Sequence, residues 1–111
     1  MRQYHCYFVQ KDGAAAAWRA FESANDGEAE DYALGLLSGY PEAHKVEVWD
    51  ETRLTLDYTR SAARSASDLR RLCYLALAAA QKENNPRIKQ IIASCAVRLA
   101  QEAEALERRE D

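Results

Sequence analysis

A chain of 111 residues that is 48% hydrophobic and 30% charged is too apolar for disorder and long enough for one domain or two small modules. Its formal charge of −3 is unevenly spread: Met1 to Thr59 holds 5 Lys and Arg against 11 Asp and Glu, and Arg60 to Asp111 holds 10 against 7. The acidic first half makes nucleic acid an unfit partner there, because phosphate contacts need dense Lys and Arg.

No apolar run reaches the ~18 residues of a membrane span, and MRQYHCYFVQ lacks the apolar core and cleavage site of a secretory signal. The expectation is a cytoplasmic protein with no membrane partner. Cys6, Cys73 and Cys95 are odd in number, have no C-x-x-C spacing and lie inside apolar patterns, as reduced core thiols do.

Residues 3 to 9, QYHCYFV, alternate Tyr4, Cys6 and Phe8 against His5, Tyr7 and Val9, in the aromatic composition of a strand partly covered on both faces. QKDG supplies a hairpin turn at Gly13, and AAAAWRAFE returns as a second strand, although its alanines alone favour helix. Asn25 or Asp26 then caps a helix whose first turns carry Glu28, Glu30 and Asp31. Ala29, Ala33, Leu36 and Leu37 form its apolar face, and Gly39 and Pro41 stop it. KVEVWD and RLTLDY alternate around a turn at Asp50 to Thr52 and form a second hairpin.

TRSAARSASD is the joint, with Ser67 as the cap of a helix running from Asp68 to about Lys82. ENNP ends that helix. Asn85 caps the next one, and Pro86 takes its first position, where a missing N–H costs nothing. Ile88, Ile92, Cys95, Leu99, Ala103 and Leu106 then follow in steps of three and four, defining one stripe that Ile91 and Ala96 widen. The predicted fold class is α+β: a ββαββ sheet module over 1–59 with one helix on a four-stranded antiparallel sheet, a linker over 60–67, and an antiparallel helical hairpin over 68–111.

The first hairpin helix raises a question of cover. Leu69, Leu72, Cys73, Ala76, Leu77 and Ala80 span one face, and Leu75 and Ala79 extend it to an arc of about 200°, roughly twice what one partner helix hides. A second surface is required, either the sheet's open face or another copy of the hairpin. The expectation is a homodimer in which two hairpins pair as a four-helix bundle through Leu72, Leu75, Ala79, Ile91, Ile92 and Leu99, with a protein partner as the alternative occupant.

YHCYFVQKDG, ANDGEAEDYALGLL and VEVWDETRL resemble the aromatic strand, D-G turn, acidic helix start and V-E-V-W strand of small, functionally uncharacterised proteins from alphaproteobacteria, especially rhizobia. LRRLCYLALAAAQKENNPRIKQIIASCAVRLAQEAEALERRE resembles a helical hairpin of the same group. The resemblance covers nearly the whole chain. It implies the architecture and carries no catalytic residue. The chain departs from that pattern at its second turn, DET rather than D-G-x, and at AAAA.

Little in the sequence points to chemistry. His5 and Cys6 are strand neighbours facing opposite ways and His44 is remote, which leaves no tetrahedral zinc set. Cys73 and Cys95 lie on facing stripes without a histidine base. Asp26, Glu28, Glu30 and Asp31 suit the helix dipole, and four glycines include no phosphate loop. No enzyme activity, cofactor or metal is expected. Arg60, Arg64, Arg70 and Arg71 form one basic cluster, fit for an anion, nucleic acid or docking on the acidic half. Tyr4, Tyr7, Trp18, Tyr40, Trp49 and Tyr58 offer an aromatic pocket for a small molecule, the basis of an alternative ligand-sensing function.

Overall fold

The structure is a computed structural model that describes residues 1–62 and 65–110. Strand β1 (Arg2–Val9) buries Tyr4, Cys6 and Phe8 completely and turns His5 and Tyr7 to the opposite side. At the turn Gly13 takes φ 88°, a conformation that costs glycine little. There the Gln10 amide donates to the Ala14 carbonyl at 2.9 Å and the Gly13 amide donates to the Gln10 carbonyl at 3.0 Å. Strand β2 (Ala15–Ser23) includes three of the four alanines. A register shift between Phe8 and Val9 lets Phe8 face Ala17 and Val9 face Ala15, so that Ala16 is taken up as a bulge. Pairing with β1 outweighs the helical preference of that run.

Helix α1 (Asp26–Leu37) is capped by Asn25, whose side chain accepts from the Glu28 amide. Strands β3 (Lys45–Asp50) and β4 (Arg53–Thr59) follow, joined through Glu51 at φ 56°, a left-handed position where the D-G-x pattern would set glycine. The sheet order is β2-β1-β3-β4, every neighbouring pair antiparallel, with β1 and β3 central.

After a 3₁₀ turn at Arg60–Ala62, helix α2 spans Ala66–Lys82 and helix α3 spans Pro86–Glu110. Ser65 caps α2 in place of the expected Ser67 by accepting from the Asp68 amide at 3.1 Å. Both serines precede usable first-turn residues, and only the observed extended backbone at position 65 selects between them. Asn85 caps α3 as expected, accepting from the Arg87 amide at 3.0 Å.

The question of cover is answered by α1, which lies between the sheet and the hairpin. Its second half is buried on every side, from Ala33 to Leu37. One continuous buried cluster runs from Tyr4, Phe8, Val46 and Val48 through Ala33 and Leu36 to Leu75, Ala79 and Ile92. The segments either side of 60–67 therefore share a core. Gly35 makes the α1 to α2 approach close: a Cβ there would strike the Leu75 carbonyl oxygen and come within 2.8 Å of the Ala79 methyl. A second cluster of Ala66, Leu69 and Ala103, flanked by Leu99 and Leu106, closes the far end of the hairpin.

Candidate interaction surface

Helix α1 packs on one face of the sheet and the hairpin packs on α1, while the other face carries an aromatic row. The register sets Tyr7 beside Trp18 and Glu47, and His5 beside Ala20 and Trp49. Trp18 is 61% exposed and Leu54 44% exposed, Tyr7 is exposed, and the His5 ring lies 6.2 Å from the Trp18 ring. His5, Tyr7, Glu47, Trp49, Glu51 and Thr52 line a shallow hollow on this face. As expected, both faces of β1 are covered at least in part: the inner one is buried completely, and on the outer one Tyr7 is exposed, His5 half-buried and Val9 buried.

The two edges of the sheet differ. On β4, Arg53 and Asp57 are exposed, Thr55 sits at a register shift and turns its hydroxyl to the Val48 carbonyl, and Lys45 pairs with Asp57 at 3.6 Å. Charges and bulges of this kind discourage pairing with another strand. On β2, β1 is the sole strand among the described residues hydrogen-bonded to a run of nine residues that contains four alanines and no proline. Its inward residues Ala17 and Phe21 are half-buried at the margin of the core, although their partners Phe8 and Tyr4 are fully buried.

Arg19 anchors β2 to the hairpin. Its Nη1 donates to Glu83 Oε2 at 2.7 Å and to Tyr40 Oη at 3.0 Å, while Glu83 Oε1 accepts from the Asn85 amide at 3.1 Å. Burial pushes the Glu83 carboxyl up, but the Arg19 and Asn85 bonds outweigh it and hold the group below its ordinary value. The charge of Arg19 is thus answered within its own chain. The sequence signal for this tie is slight, a single Arg in the inward register of a strand and a Glu at a helix break.

Half of the expected interface residues fall inside the molecule. Leu75, Ala79 and Ile92 are buried against the chain's own elements, and Leu72, Ile91 and Leu99 are half-buried. The second contact that the wide arc of α2 requires is made in part by α1, which was counted only as the sheet's helix. Leu77, expected on the covered face, is 48% exposed, and Tyr74 is 72% exposed.

The arginine cluster is dispersed. Arg70 forks onto Glu107 of α3, Arg71 binds Asp31 of α1 at 3.0 Å, and Arg60 donates to the carbonyls of Leu37, Tyr40 and Ala43. Arg64 lies outside the described residues. The Arg71 bond joins the basic half to the acidic half, in keeping with docking as one of the alternatives weighed for the cluster.

The acidic group is split as well. Asp26 accepts from Tyr4 Oη at 2.7 Å and from Arg53, which together hold its carboxyl below the ordinary range, and Asp31 takes Arg71. The aromatics separate into two sets and enclose no common pocket: Tyr4 and Tyr40 are core, with Tyr40 stacked on Phe8 at 4.2 Å, whereas Tyr7, Trp18 and Trp49 occupy the outer face. Cys6, Cys73 and Cys95 are free, and burial pushes the Cys6 thiol up to about 12. Among the described residues no helix is long and apolar enough to cross a membrane, and no group of three His, Cys, Asp or Glu could hold a metal. Comparison with protein-family models, curated proteins and solved structures finds no match.

Proposed function

We propose that this protein is a non-catalytic, self-associating module of the cytoplasm, and that a second copy pairs with it along the β2 edge. The observation that carries the reading is the open edge itself: a nine-residue strand, bulged only at its start at Ala16, that bonds to β1 alone among the described residues and carries a Trp18 that is 61% exposed. Extended fully, such a strand offers roughly 30 Å of free backbone groups.

The edge is self-complementary. A two-fold axis through Trp18 brings the two indoles side by side on the outer face, an aromatic pair worth about 0.5 to 1.5 kcal/mol beyond its area. The same axis aligns Ala17 with Arg19 of the second copy and keeps the two guanidinium groups apart. Arg19 is already satisfied by Glu83, so few like charges oppose the pairing. The new neighbour would cover Ala17 and Phe21, which the single chain leaves half-buried.

The test is sedimentation equilibrium across micromolar to millimolar concentration, on wild type and on Ala20→Lys, a charge placed on an exposed residue of the edge strand. The expected result is a mass twice 12.5 kDa for wild type and a monomer for the variant with unchanged circular dichroism. A wild-type monomer throughout, or a dimer indifferent to both Ala20→Lys and Trp18→Ser, overturns the reading.

A further inference from the structure

A second feature lies on the opposite side of the molecule from the open sheet face. Leu34 and Leu37 of α1, Leu69 and Leu72 of α2, and Leu99 of α3 wall a cleft of about 310 Å³. At about 30 Å³ per water-sized group this holds on the order of ten heavy atoms. Tyr58, Arg60, Cys95, Arg98 and Glu102 complete its lining.

The cleft combines an apolar wall with two arginines against one carboxylate of its lining, while Glu42 acts on Arg60 from outside the lining. Arg60 is half-buried, and its hydrogen bonds go to three backbone carbonyls, from Nε to Ala43 at 3.0 Å and from Nη2 to Leu37 at 3.0 Å and Tyr40 at 2.9 Å. Those bonds close the open carbonyls beyond α1, where a cation suits the helix dipole, yet half a dipole charge does not cancel a full one. Burial lowers the hold of Arg60 on its proton, as expected of a cation that no carboxylate bonds. Arg98 has no ion pair among the described residues, and Glu102, one turn further along α3, is the single carboxylate of the lining.

We propose that this cleft binds a small amphipathic carboxylate, with its apolar chain among the leucines and its carboxylate at Arg60 and Arg98. Beyond its three carbonyl bonds Arg60 keeps Nη1 to donate, Arg98 offers the paired N–H groups that suit a carboxylate, and the half-buried setting of Arg60 strengthens the attraction. No bond is made or broken, and the site is separate from the β2 edge, so it stands or falls independently of self-association.

The probes are octanoate, octanol and octyltrimethylammonium, titrated into the intact protein by calorimetry, with methyl NMR reading Leu69, Leu72 and Leu99. The expected result is octanoate binding that shifts these methyls, octanol at least tenfold weaker and the cation weaker still. Arg98→Gln alters an exposed, unpaired residue; it should weaken octanoate at least fivefold and leave the thermal midpoint of the free protein unchanged. Octanoate that leaves the cleft methyls unmoved overturns the proposal, as does octanol binding equally well or Arg98→Gln binding octanoate as wild type does.

Discussion

Glu83→Gln isolates the tie between the sheet and the hairpin. The Glu83 side chain is 4% exposed and receives Arg19 at 2.7 Å, so the variant keeps an acceptor for the Asn85 amide but removes the charge that answers the guanidinium. Removing one partner of a fully buried pair costs about 3 to 5 kcal/mol. Arg19 retains 28% exposure and its bond to Tyr40, so water recovers part of that loss, and about 2 to 3 kcal/mol is expected. For 111 residues this corresponds to a fall in Tm of roughly 8 to 15 °C. Replacing both partners by Met should cost less than Glu83→Gln, because no charge is then stranded. Urea and thermal unfolding followed by circular dichroism provide the numbers. A loss below about 0.5 kcal/mol for Glu83→Gln, with native spectra, would refute the claim that this ion pair holds β2 to the helix turn.

Gly35→Ala should destabilise by about 1 to 3 kcal/mol or more in calorimetry, because the added methyl meets the Leu75 backbone, which a rotamer change cannot move. Stability should be full above the ordinary carboxyl value of 4.5 and fall as pH drops through the lower folded values of Glu83 and Glu107, since protonation removes the Arg19 and Arg70 partners; denaturation midpoints from pH 7 to pH 2 measure it, and a flat profile argues against these ties. Iodoacetamide on the native protein should spare Cys6, which is fully buried with its thiol pushed up to about 12, and modify half-buried Cys73 or Cys95 first, as read by mass spectrometry of peptides. Trp18→Ser should change monomer stability by less than about 0.5 kcal/mol while weakening self-association, seen as a raised dissociation constant in sedimentation.

The order of the elements and their approximate ends were legible because local signals carry them: period-two alternation in QYHCYFV and KVEVWD, Asn25 and Asn85 at helix starts, Gly13 in its turn. What those signals do not carry is which layer meets which. The wide apolar arc of α2 correctly announced a second contact, but one face of α1 looked apolar and the other polar, so nothing marked Gly35 as a point of close helix approach. The arginines read as a cluster because they are near in sequence, and they separate because successive helical positions point to different neighbours, Glu107 for Arg70 and Asp31 for Arg71. Trp18 and Tyr4 were both visible as aromatics. Their assignment to opposite faces required the hairpin register, in which Tyr7 meets Trp18 and Tyr4 meets Phe21.

Amide hydrogen exchange at low and high protein concentration tests most directly whether a second copy sits at the β2 edge, with the hairpin covered from within. Peptides from Ala15 to Ser23 should gain protection as concentration rises, whereas those from Leu72 to Ala79 should be equally protected throughout. Protection that grows with concentration in Leu72 to Ala79 and stays constant in β2 would contradict the account and return the interface to the helical hairpin.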